Sequence, residues 1–140
     1  MFRKVVVGAN ESATAAQAVR RAAELVRMTG GELHLVTAYR PKTVQAKNLP
    51  SEFRDVATSD PADAVLDDLT SVLKTLGVDP TVHASTGDPA DAVVRIAGDV
   101  NADLIVVGNK GMRGARRVLG SVPNSVAHNA RCSVLILDTT

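Results

Sequence analysis

Short β-branched runs alternate with amphipathic segments along the whole chain. Lys4–Gly8 (KVVVG), Leu33–Ala38 (LHLVTA), Thr81–Ser85 (TVHAS), Leu104–Gly108 (LIVVG) and Ser133–Leu137 (SVLIL) read as strands. The first, fourth and fifth are apolar almost without interruption, which predicts burial on both faces, as in a parallel sheet. Helical patterns fill the gaps. Ser12 is placed to cap a helix running to about Thr29, with Gln17, Arg20, Arg21, Glu24 and Arg27 as its polar stripe and Gly30-Gly31 as its stop. Asp60, Pro61 and Asp63 open a second helix, whose apolar face is Ala62, Val65, Leu66, Leu69, Val72, Leu73 and Leu76 and which Gly77 closes. Asp88, Pro89 and Asp91 repeat the device before Val93, Val94, Ile96, Ala97 and Val100, and a fourth helix begins near Ser121 and ends near Ala130.

Strict alternation of strand and helix argues an α/β fold, an open five-stranded parallel sheet with helices on both faces. No shift of composition marks a boundary, so residues 1–140 are expected to form one domain. Tyr39–Ser59 breaks the rhythm. A connection of about 20 residues is either a functional flap or an irregular excursion without a role.

Composition narrows the class. Of 140 residues 45% are apolar and the net charge is +1, values of a globular chain. No apolar run reaches the ~18 residues of a membrane helix, and the N-terminus does not read as a signal peptide. The single cysteine excludes a disulfide framework and multi-cysteine metal sites. A cytoplasmic protein with no membrane and no nucleic-acid partner is the expectation.

The charge is unevenly placed. Asp103 and Asp138 bracket 34 residues without an acid, and within them Lys110, Arg113, Arg116 and Arg117 crowd between Gly108 and Gly120. The choice there lies between a solvated basic loop and a local positive field for an anion. In open α/β sheets ligands bind beyond the carboxyl ends of the strands. Two strand ends carry suitable chemistry, Gly8-Ala9-Asn10-Glu11-Ser12 after the first and Gly108-Asn109-Lys110-Gly111 after the fourth, followed by Gly120-Ser121 at a helix start. Glycines allow close backbone approach, and a helix N-terminus offers free N–H groups to phosphate. The P-loop and GxGxxG patterns are absent, a flavin would find few aromatics to stack on, and the acids of a phospho-receiver are missing.

The stretches VVVGANES, VVGNKG and LGSVPNSVAHNARCSVLIL resemble the universal stress protein family, and the resemblance extends over the whole chain. That family's nucleotide-binding members carry G-x2-G-x9-G-[ST]. Gly108, Gly111, Gly120 and Ser121 match it with one residue fewer between the second and third glycines. The resemblance implies the adenine nucleotide alpha-hydrolase-like fold with strand order 3-2-1-4-5. It puts Gly8, Ala9 and Asn10 near adenosine and Ala38 beside adenine. Val107, Gly108 and Gly111 would line ribose and phosphates, with Gly120, Ser121 and Val122 at the phosphates. It further implies a homodimer through Ser133–Asp138. Members often carry Asp where this chain has Asn10, so Mg²⁺ is an optional companion of the nucleotide.

The remaining candidates read blandly. His34 and His83 are packed or edge histidines, His128 complements a helix C-terminus, and Cys132 is an inert core thiol. Three scattered histidines and one cysteine make no metal site, and no catalytic set accompanies any serine. Three functions follow in order: a stress-response homodimer that senses or carries an adenine nucleotide (ATP before AMP or cyclic AMP), a nucleotide-free interaction module, and a slow ATPase. The last lacks an obvious general base.

Overall fold

In a computed structural model of the chain the described residues are 1–10, 13–39, 61–109 and 122–139. Among them the elements run β1 (Lys4–Gly8), α1 (Ala13–Thr29), β2 (Glu32–Tyr39), α2 (Pro61–Thr75), β3 (Thr81–Thr86), α3 (Pro89–Asp99), β4 (Leu104–Gly108), α4 (Val122–Asn129) and β5 (Ser133–Leu137). The strands form one parallel sheet in the order β3-β2-β1-β4-β5, as the resemblance implied. β2 and β3 outrun their apolar cores because flanking polar residues still join the ladder, as in the pairings Lys4↔Glu32 and Tyr39↔Thr86.

The helices stop where glycine supplies a left-handed residue. Gly30 (φ 71°) and Gly77 (φ 77°) follow α1 and α2. The N–H groups of Gly31 and Val78 then reach back to the carbonyls of Val26 and Leu73, the Schellman closure. At the start of α3 the Asp88 carboxylate accepts from the Asp91 N–H at 3.2 Å and Pro89 sits in the first turn. Ser12, Asp60 and the 40–60 segment lie outside the described residues.

Strand alternation divides the core between two faces. Val5, Val7, Leu33, Leu35, Leu104 and Val106 face α1 and α2, meeting Ala18, Val19, Ala22, Ala23, Val26, Leu66 and Leu73. Val6, Val36, Ile105 and Val107 face α3 and α4, meeting Ala90, Val93, Ala97 and Val126. β1 at the centre of the sheet and β4 beside it are buried as expected. β5 is not. Its burial alternates, and Leu135 is 41% exposed. An apolar run records only that a strand avoids water; among the described residues β5 pairs with β4 alone and lies at the sheet edge, so part of its apolar surface is left open.

A polar joint fixes the opposite end of the sheet. The Asp103 carboxylate accepts from the backbone N–H groups of Arg3 and Lys4 at 2.9 and 3.0 Å, aligning the start of β1 with β4. Burial alone would raise the Asp103 carboxyl, but these two donors, with its own N–H and the N-terminal charge, outweigh it and hold the group below its ordinary value.

Candidate functional site

The chain leaves β1 through α1 on one face of the sheet and leaves β4 through α4 on the other. Between two adjacent parallel strands whose connections diverge, the carboxyl ends open a crevice. A pocket of about 180 Å³ lies there. Its floor is Gly8, Ala9 and Asn10 after β1, Val36 and Ala38 of β2, and Val107 and Gly108 of β4. Thr14, Ala15 and Ala18 of α1 form one wall, and Pro89, Val93, Val122 and Pro123 of α3 and α4 form the other.

Of the residues singled out in the sequence, Gly8, Ala9, Asn10, Ala38, Val107, Gly108 and Val122 are brought together in this one pocket. Gly111, Gly120 and Ser121, with Lys110, Arg113, Arg116 and Arg117, lie outside the described residues. The α1 and α3 wall residues were missed. Their only sequence signal is small size at the first turns of helices that follow β1 and β3, and the sheet order is needed to see that those turns meet.

Small side chains make the slot. A Cβ at Gly8 would stand 3.2 Å from Val93 Cγ2, and one at Gly108 would stand 3.0 Å from Thr139 Oγ1. Both glycines therefore let strand ends approach neighbours that a larger residue would push away. The lining is mainly Gly, Ala, Val and Pro, with polar groups at Asn10 and Thr14. A narrow apolar slot with a few polar points suits a flat heteroaromatic ring. The N-terminus of α4 meets the pocket at Val122, where the helix dipole favours an anion, although Pro123 supplies no N–H.

A second hollow, of about 560 Å³, is larger but chemically different. It lies at the amino ends of the strands, between the C-terminal turns of α3 and α4, and includes Arg95, Arg131 and Cys132. Helix C-termini present carbonyls and a negative dipole end, the reverse of a phosphate site. Cys132 is half-buried just before β5 rather than in a buried strand. Burial first and Asp103 second push its thiol upward, so it is a poor nucleophile.

The histidines correct the sequence reading. His34 and His83 are not scattered; the β2–β3 register sets them diagonally on one face, with Nδ1 of His34 3.0 Å from Nε2 of His83. The centroid separation of 5.3 Å equals that N···N distance plus a ring radius on each side, so the nitrogens lie on the line joining the rings. Facing lone pairs share a proton, whereas a metal needs them to converge. Among the described residues no group of three metal-ligating side chains occurs, and no helix is long and apolar enough to cross a membrane.

Residues 1–138 match the universal stress protein family. A universal stress protein of Mycobacterium tuberculosis is 35% identical over 99% of this chain and 98% of its own length. One from Bacillus subtilis is 27% identical over 98% and 99% respectively. Among solved structures, a universal stress protein in complex with cAMP superposes with a TM-score of 0.83 at 33% identity, covering 99% of this chain and 98% of that one. A universal stress protein from Lactobacillus plantarum, 22% identical and covering 97% of each chain, superposes with a TM-score of 0.73 and speaks to the fold alone. With its sheet order, its pocket at the β1/β4 crevice and this agreement over nearly its full length, the chain belongs to the universal stress protein family.

Proposed function

We propose that this chain binds an adenine nucleotide in the crevice between β1 and β4, as a one-domain cytoplasmic homodimer that senses or carries the nucleotide during stress. The observation that carries the reading is the convergence of Gly8, Ala9, Asn10, Ala38, Val107, Gly108 and Val122 on one narrow apolar pocket at the α4 N-terminus. The base enters between Ala38 and the α3 wall, where small side chains leave a flat slot. The ribose lies over Ala9, Asn10 and Val107, and the phosphates run toward Val122. Gly111, Gly120 and Ser121 complete the phosphate end in this reading, supplying backbone N–H groups and a hydroxyl. The role is binding rather than catalysis, with no nucleic-acid or membrane partner.

The glycine motif favours ATP, with Mg²⁺ optional. A second reading, a cyclic monophosphate, is favoured by the cAMP held in the 33%-identical structure. Mass spectrometry of nucleotide released from the denatured purified protein identifies the ligand. Calorimetry with ATP, AMP and cyclic AMP then compares the wild type with Gly120→Asp, whose carboxylate would meet phosphate. Loss of binding in the variant supports the reading; a wild type inert to all three refutes it.

A further inference from the structure

Asn109 follows the pocket residue Gly108 at a variable position of the glycine motif, where the sequence assigns its side chain no task. Its side-chain amide is used at both ends. Oδ1 accepts from the Thr139 N–H at 3.0 Å and from Thr139 Oγ1 at 3.2 Å, while Nδ2 donates to Asp138 Oδ1 at 3.1 Å. The two residues after β5 are thereby tied across the end of β4. Thr139 is only 5% exposed, and it packs where a Gly108 Cβ would stand, 3.0 Å from its Oγ1 and 3.2 Å from its Cγ2. The same absent Cβ would lie 3.6 Å from the Thr14 carbonyl, and Thr14 is itself a pocket residue. Thr139 thus backs the pocket wall at the point where β4 and α1 meet.

We propose that Asn109 is a positioning residue for the ligand pocket, clasping Asp138 and Thr139 behind Gly108 so that binding depends on an amide–carboxylate pair outside the pocket. This rests on the reading of the pocket as a nucleotide site and adds to it a residue that does not line the pocket. The mechanism is geometric. Gly108 has no side chain of its own to fix its position, so its backbone is held by Leu137 beside it in the ladder and by Thr139 packed behind it. Opening the clasp removes the second restraint. It also links the pocket to the strand at the sheet edge, because Asp138 directly follows β5.

The clasp has a definite polarity, which gives its test. Asn109→Asp would set one carboxylate against that of Asp138, yet would leave an acceptor for Thr139. Asp138→Asn alone removes the charge and leaves two amides facing each other. The double variant Asn109→Asp with Asp138→Asn restores an amide donor facing a carboxylate, with the two groups exchanged. Titration of the full chain with cyclic AMP and with ATP, alongside thermal unfolding, reads the effect. Asn109→Asp is expected to weaken binding by about tenfold, and the double variant to recover most of that loss. General destabilisation would not produce recovery on exchange. Wild-type binding with an unchanged affinity in Asn109→Asp, or a double variant weaker than either single one, overturns the clasp and leaves the nucleotide site standing. A wild type that binds neither nucleotide overturns both.

Discussion

Nδ1 of His34 lies 3.0 Å from Nε2 of His83 across the β2–β3 ladder, a separation at which one ring donates and the other accepts. His34 is 7% exposed, and the Glu32 Oε1 that flanks its other nitrogen is 3.6 Å away, too far for a good hydrogen bond. Burial first, and His34 second, lower the His83 imidazole below its ordinary value, while Asp99 of α3 acts in the opposite direction. The folded state therefore takes up a proton here less readily than the unfolded chain. The His83 contribution is complete above its ordinary value of 6.5 and is lost as pH falls through that value toward the lower folded one. Urea unfolding at pH 7.5 and 5.5 should show this loss. His83→Leu should cost about 1 kcal/mol at pH 7.5 by leaving His34 unpaired, and should reduce the acid sensitivity. Equal acid sensitivity in both proteins would exclude the pair as its source.

Gly31 sits where α1 turns into β2. A Cβ there would fall 2.5 Å from the Arg3 carbonyl oxygen, the atom that accepts from the Glu32 N–H at 2.7 Å. Backbone on both sides leaves no side chain to swing away. Gly31→Ala should destabilise by about 2–3 kcal/mol, through overpacking and loss of the β1–β2 start. Gly30→Ala meets open space but keeps a φ of 71°, and should cost about 1 kcal/mol. Chemical denaturation of both variants checks the order; a Gly30 variant weaker than the Gly31 one would reverse it.

Asn10 places an amide, not a carboxylate, in the pocket. A carboxylate would repel phosphate unless a cation intervened, by about 1 kcal/mol for charges ~4 Å apart in water. ATP affinity in the wild type should therefore change little between Mg²⁺ and EDTA. Asn10→Asp should bind roughly fivefold more weakly in EDTA and recover with Mg²⁺. A strong magnesium requirement in the wild type, unchanged by the substitution, would show that this position does not govern it.

Among the described residues β5 leaves one backbone edge without a partner strand and exposes Leu135. A second copy can satisfy that edge, and the family resemblance points to the same strand. Light scattering at micromolar protein should give the mass of a dimer, and Leu135→Pro should shift it to a monomer with the helical spectrum retained. A monomeric wild type would count against the arrangement.

The fold was largely legible because punctuation and periodicity agree. Gly30, Gly77 and Asp88-Pro89 mark helix ends that the structure places within a residue or two, and β1 and β4 read directly as buried strands. β5 misled because an apolar strand at an edge has the same pattern as one covered on both faces. The pocket floor was visible as strand-end glycines, whereas its walls required the sheet order that brings Thr14 and Val93 to the same crevice. His34 with His83, and Asn109 with Thr139, are 49 and 30 residues apart. Such pairs exist only through strand register, which no local pattern encodes.

Ala38, one residue before the end of β2, lines the pocket with its small side chain toward the α3 face, beside the proposed base. Ala38→Phe would fill much of an approximately 180 Å³ slot while leaving the buried core beneath it intact. Calorimetric titration of the wild type and Ala38→Phe with cyclic AMP and ATP is therefore the most direct measurement. The account predicts saturable one-site binding by the wild type, and loss of that binding in a variant with an unchanged fold and thermal midpoint. Equal binding by both proteins would place the ligand elsewhere, and no binding by the wild type would remove the nucleotide from the account.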